Sequence, residues 1–276
     1  MLKSPLTIDY TTPKKRIYLL SDLHWDNPKC DLKLLKKHLD KAKEEGADVL
    51  LNGDTFCVMQ GKGDRRGSKA DIRPEHNTGT YFDSVIETAI EWFLPYADIL
   101  KFVGYGNHET AVLKHHETDL IKRFVVGLNA RTGSNIAYGD YSGWIIYRYK
   151  RFETESHVYA IKYHHGFGGG GAVTKGTIQH NRMSTFVHSA DLIWMGHVHE
   201  NYELVYQVEY LTRSLNVRTK PVLMVRTSTY KEEYTNGGFH IEGGRPPKPL
   251  GGRVLTLSFD KTDKENRHLS AKTELI

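Results

Sequence analysis

Cysteine is nearly missing from this chain: among 276 residues only Cys30 and Cys57 occur. Two thiols cannot build a disulfide framework or a four-cysteine zinc module, and their scarcity fits a reducing, cytoplasmic setting. There is no unbroken run of about 18 apolar residues, so no segment reads as a membrane-spanning helix and no membrane partner is expected. The opening Met1-Leu2-Lys3-Ser4-Pro5 lacks an apolar stretch long enough for the core of a secretory signal. Nor does one sign of charge dominate. Thirty-eight Lys and Arg against 33 Asp and Glu leave a net +5, a mild basic bias compatible with a phosphate-bearing substrate but not demanding one. Disorder is excluded because 39% of residues are hydrophobic, enough apolar mass to bury a core. What is abundant is histidine. Fifteen of them, without a polyhistidine tract, direct attention to metal ligands.

Short apolar runs alternate with helical periodicity along the first half. Residues 16–21, 48–52 and 99–105 read as buried strands, and residues 31–45 and 81–96 as amphipathic helices between them. Asp31 is placed to cap the first helix and Gly46 to stop it. Strand, helix, strand, helix, strand is the order of a parallel α/β sheet. In the second half, 144–150 and 157–164 read as antiparallel neighbours. A helix over 177–188 and strands at 191–195, 202–210, 221–228 and 253–259 follow. The reading is one domain over 1–276, α/β with α+β character, with two sheets packed together. The polar tail after Asp260 is expected to fray. Two long loops, Gly61–Thr80 and Asn236–Gly252, exceed the usual connection length and so are expected to be functional or mobile.

The chemistry-bearing residues follow the strands. Asp22 and His24 come after the first, Asp54 after the second, and Asn107, His108 and Glu109 after the third. His164 and His165 end a later strand, and His197 and His199 follow the one at 191–195. In a parallel sheet the carboxyl ends converge on one edge, where ligand sites form. In extended chain, residues i and i+2 face the same way, so Asp22 with His24, and His197 with His199, are each expected to point into one cavity. Imidazole and carboxylate together suit Mn, Fe, Zn or Ni rather than Ca. Seven such groups are more donors than one tetrahedral ion accepts. Two divalent ions sharing one carboxylate are therefore expected.

With Asp22-x-His24, Gly53-Asp54, Gly106-Asn107-His108-Glu109, His165-Gly166 and Gly196-His197-x-His199 in that order, the chain resembles the calcineurin-like metallophosphoesterases over residues 16–199. The resemblance implies a two-sheet sandwich flanked by helices. It implies a first metal held by Asp22, His24 and His199 and a second by Asn107, His165 and His197, with Asp54 bridging and manganese the first choice of ion. It also implies a hydroxide shared by the ions as nucleophile and His108 as general acid. His164 competes with His165 for the ligand role, and His165 is preferred because it directly precedes the glycine.

Two positions depart from the protein-phosphatase branch of that family. Cys57 stands where an Asp would orient the catalytic histidine, and Tyr105 where an Arg would precede Gly-Asn-His-Glu. These departures, with the basic loop, favour phosphodiesters of nucleotide or nucleic-acid type as substrate. A phosphomonoesterase or protein phosphatase is the alternative. A non-catalytic nucleic-acid-binding scaffold is disfavoured because no ligand position is missing.

The remaining signals are weaker. Lys62, Arg65, Arg66, Lys69 and Arg73 read equally as a solvated loop or as contacts to phosphate, and Arg182 as a substrate contact or a surface ion pair. Gly166–Gly171 satisfies a dinucleotide-binding pattern only trivially and is better used for close backbone approach to a metal or phosphate. His38, His115 and His116 are expected at the surface or in supporting positions. His240 is within reach of the pocket, and Cys57 is expected to be buried and inert.

Overall fold

The structure is a computed structural model and describes residues 4–58, 71–212, 214–235, 239–259 and 269–276. The first sheet has the order β1 (Leu6–Tyr10), β6 (Ser142–Phe152), β7 (Glu155–His164), β8 (Leu192–Met195), β10 (Val217–Arg226), β9 (Tyr202–Leu211). The second runs β12 (Leu269–Leu275), β11 (Arg253–Phe259), β2 (Lys14–Leu20), β3 (Asp48–Asn52), β4 (Leu100–Gly104), β5 (Ala137–Tyr138). Both are mixed: β2, β3, β4 and β5 run parallel, as do β7, β8 and β10, while β11 and β12, and the β6–β7 and β9–β10 pairs, are antiparallel. The expected architecture of two packed mixed sheets flanked by helices is the one observed.

Why the strands read as continuous apolar runs is visible in their packing. Ile17 and Leu19 of β2 and Leu50 of β3 face the first sheet, meeting Tyr147, Ile161 and Trp194 between the sheets. Tyr18, Leu20, Val49 and Leu51 point the other way, onto helices α1 (Leu32–Glu44), α2 (Tyr81–Phe93) and α4 (Leu120–Thr132). Strands covered on both faces need apolar residues at every position. β8 repeats the device: Leu192 and Trp194 face inward, while Ile193 and Met195 pack with Met183, just inside the end of α5 (Thr177–Ser184), and with Val187. The layers are therefore helix, sheet, sheet, helices. Asp31 caps α1 as expected, its Oδ1 accepting from the Leu34 amide at 2.9 Å.

Five points differ from the expectations. The tail does not fray throughout, because 269–275 pairs with β11 as an edge strand, which ties the terminus to the sheet. β1 was not anticipated; it pairs parallel to β6 with ladder partners Leu6 to Ile145 and Tyr10 to Tyr149. The helix expected over 177–188 stops at Ser184. His38 is buried rather than at the surface, with Nδ1 2.8 Å from the Tyr230 hydroxyl, because the segment after β10 crosses over α1. α4, also not anticipated, carries Leu120, Ile121, Phe124, Val125 and Leu128 on its buried face.

Phe124 is wholly buried, edge-on to Phe56 at 5.6 Å and Phe93 at 5.3 Å, and so ties the helical layer to the segment after β3. Phe124→Ala is expected to cost about 3–5 kcal/mol by urea denaturation. A loss under about 1 kcal/mol would show that this layer repacks around the cavity.

Candidate metal centre

The carboxyl ends of β2, β3, β4, β7 and β8 meet at one rim, as the parallel order requires. Asn52, the last residue of β3, holds the two sheets together there: its Nδ2 donates to the carbonyls of His164 at 3.3 Å and Trp194 at 3.4 Å. Backbone bonds continue the junction, Asp22 to Gly53 and His24 to Asp54 at 3.0 Å each, and Gly196 to His165 at 2.7 Å. The rim is not extended chain. Asp22, His24, Asp54, His197 and His199 all have positive φ, between 46° and 75°. The expected pairs Asp22/His24 and His197/His199 do face one cavity, but through strained turns rather than strand alternation. Such strain persists only where surrounding bonds over-determine it. Gly106 is required by close approach, since a Cβ there would strike Asp54 Oδ1.

Two donor groups result. Asp22, His24 and His199 form one; Asp54, His165 and His197 form the other, with ligand atoms within 4.8 Å of one another in each. Asn107 joins the second, its Oδ1 lying 2.7 Å from His197 Nδ1. Asp22 Oδ1 is 3.4 Å from His199 Nε2 and 3.9 Å from His165 Nε2, so Asp22 lies between the groups. Asp54 Oδ2 lies 3.2 Å from His165 Nε2 and 3.8 Å from His108 Nε2. The choice between adjacent histidines is visible in the geometry. His165 is wholly buried inside the cluster, whereas His164 Nδ1 accepts from the Gly166 amide at 3.0 Å and its ring packs on Tyr141 and Phe167.

The bonding of two of the imidazoles, His165 and His197, fits a cation. His165 Nδ1–H donates to the Asn52 carbonyl at 2.7 Å, which leaves Nε2 buried, aimed between two carboxylates and without a hydrogen bond. His197 Nε2–H donates to the Gly168 carbonyl at 3.0 Å, which leaves the lone pair of Nδ1 directed at the Asn107 side-chain amide. His24 and His199 bring their Nε2 atoms to 3.4 Å. Metal-ligating histidines characteristically give their other N–H to a backbone carbonyl or a carboxylate. A third group, His24, Cys57 and His108, lies equally close; there burial pushes the Cys57 thiol up to about 12, and its sulfur accepts from Asn27 Nδ2 at 3.3 Å.

Charge follows the same geometry. Burial works to neutralise His165, yet the carboxylates of Asp54 and Asp22 overcome it and raise its pKa to about 10. Burial would likewise raise Asp54, but His165 and His108 hold it well below the usual carboxylate range. Burial, with His108 beside it, keeps His24 neutral.

Several supporting residues escaped the reading of the sequence. Asp26 accepts from the amides of Cys57 at 2.5 Å and Val58 at 3.0 Å and from the Tyr81 hydroxyl at 3.0 Å. It thereby fixes the Cys57 carbonyl, which accepts from His108 Nδ1–H. That carbonyl is the partner His108 lacked once Cys57 replaced an acid. Glu109 bonds the amides of Asp54, Phe56 and Gly106, and burial followed by the charge of Asp54 raises its pKa to about 8. Arg226, wholly buried, donates to the carbonyls of Gly196 and Gly176 and to Gln179 Oε1, bracing the His197–His199 turn from behind. Glu233 Oε2 lies 3.9 Å from His199 Nδ1 and 3.6 Å from His240 Nε2, so His240 reaches the centre through one carboxylate. No spacing signal marks Asp26, Arg226 or Glu233.

Of the expected substrate contacts, Arg182 is exposed on α5, whose buried face carries Gln179, His180 and Met183. Arg65 and Arg66, with Lys62 and Lys69, lie outside the described residues. Arg73 is buried, its guanidinium on the Asn27 carbonyl and 5.1 Å from the centre of the Trp25 ring, so this end of the basic stretch anchors the loop. In the glycine run, Gly168 brings its carbonyl to within 3.0 Å of His197 Nε2.

No protein-family model matches the chain, and no curated protein does. Among solved structures it is similar to GAP50, the anchor in the inner membrane complex of Plasmodium, with a TM-score of 0.49 and 10% identity, covering 96% of this chain and 85% of that one. It is also similar to Vps29 of Chaetomium thermophilum, with a TM-score of 0.34 and 10% identity over 95% of each chain. Among the described residues no helix is long and apolar enough to cross a membrane.

A pH prediction follows from His165. Its folded pKa, about 10, lies above the unfolded value near 6.5, so its stabilising contribution is complete below about pH 6.5 and disappears as pH rises through about 10. Metal-free protein should therefore lose thermal stability between pH 7 and 10, and His165→Asn should flatten that decline. An unchanged slope in the variant would show that His165 carries no proton.

Proposed function

We propose that the chain is a dinuclear-metal phosphodiesterase acting on nucleotide or nucleic-acid diesters. The observation that carries this reading is the pairing of two buried donor groups at one rim with a non-ligand histidine, His108, held beside Asp54. The five motifs shared with the calcineurin-like metallophosphoesterases support it residue by residue. Asp22, His24 and His199 would hold one ion, and Asn107, His165 and His197 the other, with Asp54 shared. Manganese is the first choice, and iron, zinc and nickel suit the same donors. When bound, such ions supply an activated water and neutralise the phosphoryl oxygens.

The chain's own residues supply the rest. His108 Nδ1–H is committed to the Cys57 carbonyl, so the proton available to a departing ester oxygen is the one on Nε2. Once that proton is given up, the neutral tautomer left behind is the one the carbonyl accepts. The Asp54 carboxylate lies 3.8 Å from this nitrogen. Asp26 acts through the 57–58 backbone to hold this arrangement. A protein-phosphatase reading is weaker because Tyr105 cannot replace an arginine clamp: its hydroxyl donates to the Asp119 carboxylate at 2.6 and 2.7 Å, toward the N-terminus of α4.

The leaving group provides the test. With manganese loaded and two ions verified by elemental analysis, His108→Ala should slow hydrolysis of diesters with alkoxide leaving groups by about a hundredfold to ten-thousandfold. Esters of p-nitrophenol, which departs without a proton, should be slowed far less. Asp26→Asn should reproduce the same leaving-group dependence more weakly. Equal losses on both substrates, or full turnover by the His108 variant, would place the acid elsewhere. A hundredfold preference for p-nitrophenyl phosphate over its diester would replace the diesterase by a phosphatase.

A further inference from the structure

A cavity of about 660 Å³ opens beside the centre, within the usual size of small-molecule sites. Three of its wall residues adjoin members of the cluster in the chain. Glu200 follows His199, Tyr234 follows Glu233, and Ile241 follows His240. The facing wall, with Lys175, belongs to the glycine loop whose Gly168 carbonyl holds His197. The cavity thus shares its chain segments with the His197–His199 turn and with Glu233, although none of these residues lines it. A run of contacts separates it from the proton donor: the His108 ring lies 4.9 Å from that of His24, and His24 lies 5.4 Å from His199, beyond which come Glu233 and the cavity.

Its chemistry is mixed. Tyr234 and Ile241 keep 45% and 40% of their surface exposed, and Pro246 and Pro247 extend an apolar face. The one acidic wall residue, Glu200, is paired with Lys248. Lys175 forms no ion pair among the described residues, and Arg245 lines the same wall. Lys175 also has a φ of 47°, the same left-handed backbone seen at the ligand residues Asp22, His24, Asp54, His197 and His199.

We propose that this cavity seats the non-leaving arm of the substrate, a nucleoside whose base packs on Tyr234 and whose next phosphate meets Lys175. The assignment rests on the phosphodiesterase reading and names its substrate class as single-stranded nucleic acid or an oligonucleotide. A flat base needs an aromatic or proline face and tolerates any sequence. An adjacent phosphate needs a cation within reach of the phosphate at the metals, and consecutive phosphates along a strand provide that spacing.

Equilibrium binding tests this with thymidine 5′-monophosphate and thymidine 3′,5′-bisphosphate, titrated by calorimetry into manganese-loaded protein. Wild type should bind the bisphosphate about tenfold more tightly, the increment of one charge-assisted contact. Lys175→Ala should abolish that difference, and the same charge removal on α4, Lys122→Ala, should keep it. Tyr234→Ala should weaken both ligands about fivefold or more, and Tyr234→Phe should restore them. Equal affinity of wild type for the two nucleotides, or a difference that survives Lys175→Ala, overturns the assignment. Hydrolysis of bis(p-nitrophenyl) phosphate by the same preparation separates the two readings. Turnover with no bisphosphate preference removes the cavity assignment alone, and a preference with no turnover removes the diesterase while leaving the nucleotide site.

Discussion

Buried negative charge is the constraint from which the rest of the molecule follows. Asp22 and Asp54 sit at the junction of two sheets with essentially no exposure, 3.9 and 3.2 Å from the same imidazole nitrogen. An isolated carboxylate in such a place would neutralise itself or unfold the region, because desolvating a charge is far more costly than burying an apolar group. Here each is compensated locally. Asp22 accepts from the His197 amide through both oxygens, at 3.0 and 3.1 Å, and Asp54 Oδ1 accepts from the His108 amide at 3.0 Å. His165 adds a proton between them. A metal ion bound there would have to displace that proton.

Compensation explains the strained backbone. For an amide to reach Asp22 from the β8 turn, and for Asp54 to receive the amide of His108, the chain must double back at each strand end. The positive φ values at the ligand residues are the record of that geometry. The residues that hold the turns in place are themselves polar and buried: Glu109 beneath Asp54, Asp26 beneath Cys57 and Val58, Arg226 beneath Gly196. Removing any one would release a turn and leave a buried group unpaired. The site is thus a set of loops made rigid by a second tier of hydrogen bonds, rather than a set of side chains projecting from strands.

That distinction decides how much was legible in the sequence. The parallel strands and the convergence of Asp22, Asp54, Asn107, His165, His197 and His199 could be read, because apolar runs and terminal polar residues are local patterns. α1 and its Asp31 cap could be read for the same reason. The mechanism of convergence could not. Alternation along an extended strand places Asp22 beside His24 correctly but for the wrong cause, since φ is not written in residue type except at glycine. Supporting groups were the least legible. Asp26 lies two residues past His24, yet its partners are amides more than thirty positions away. His38 looked like a surface residue on a lysine-rich helix because Tyr230, which covers it, is 192 positions distant. β12 was lost to a polar tail whose order depends on β11 rather than on its own composition.

The two flanks of the centre are chemically unlike, and this asymmetry matters more than the donor count. On one flank a histidine is fixed by a backbone carbonyl with one nitrogen free, a device suited to an ester oxygen that must leave. On the other lie Glu233 and His240 beside His199, an aromatic and proline surface, a Glu200 paired with Lys248, and Lys175, which forms no ion pair among the described residues. A phosphoryl group held between them would be handled differently at its two ester bonds. The arm beside His108 can receive a proton, whereas the arm along Tyr234 is bound and retained. A phosphomonoester has only one arm and would leave the second flank unused. A diester would use both, and a strand bound along the cavity would fix which of its two bonds is offered to the acid. Directionality of cleavage would then arise from where the chain binds its substrate, with no need for recognition of particular bases.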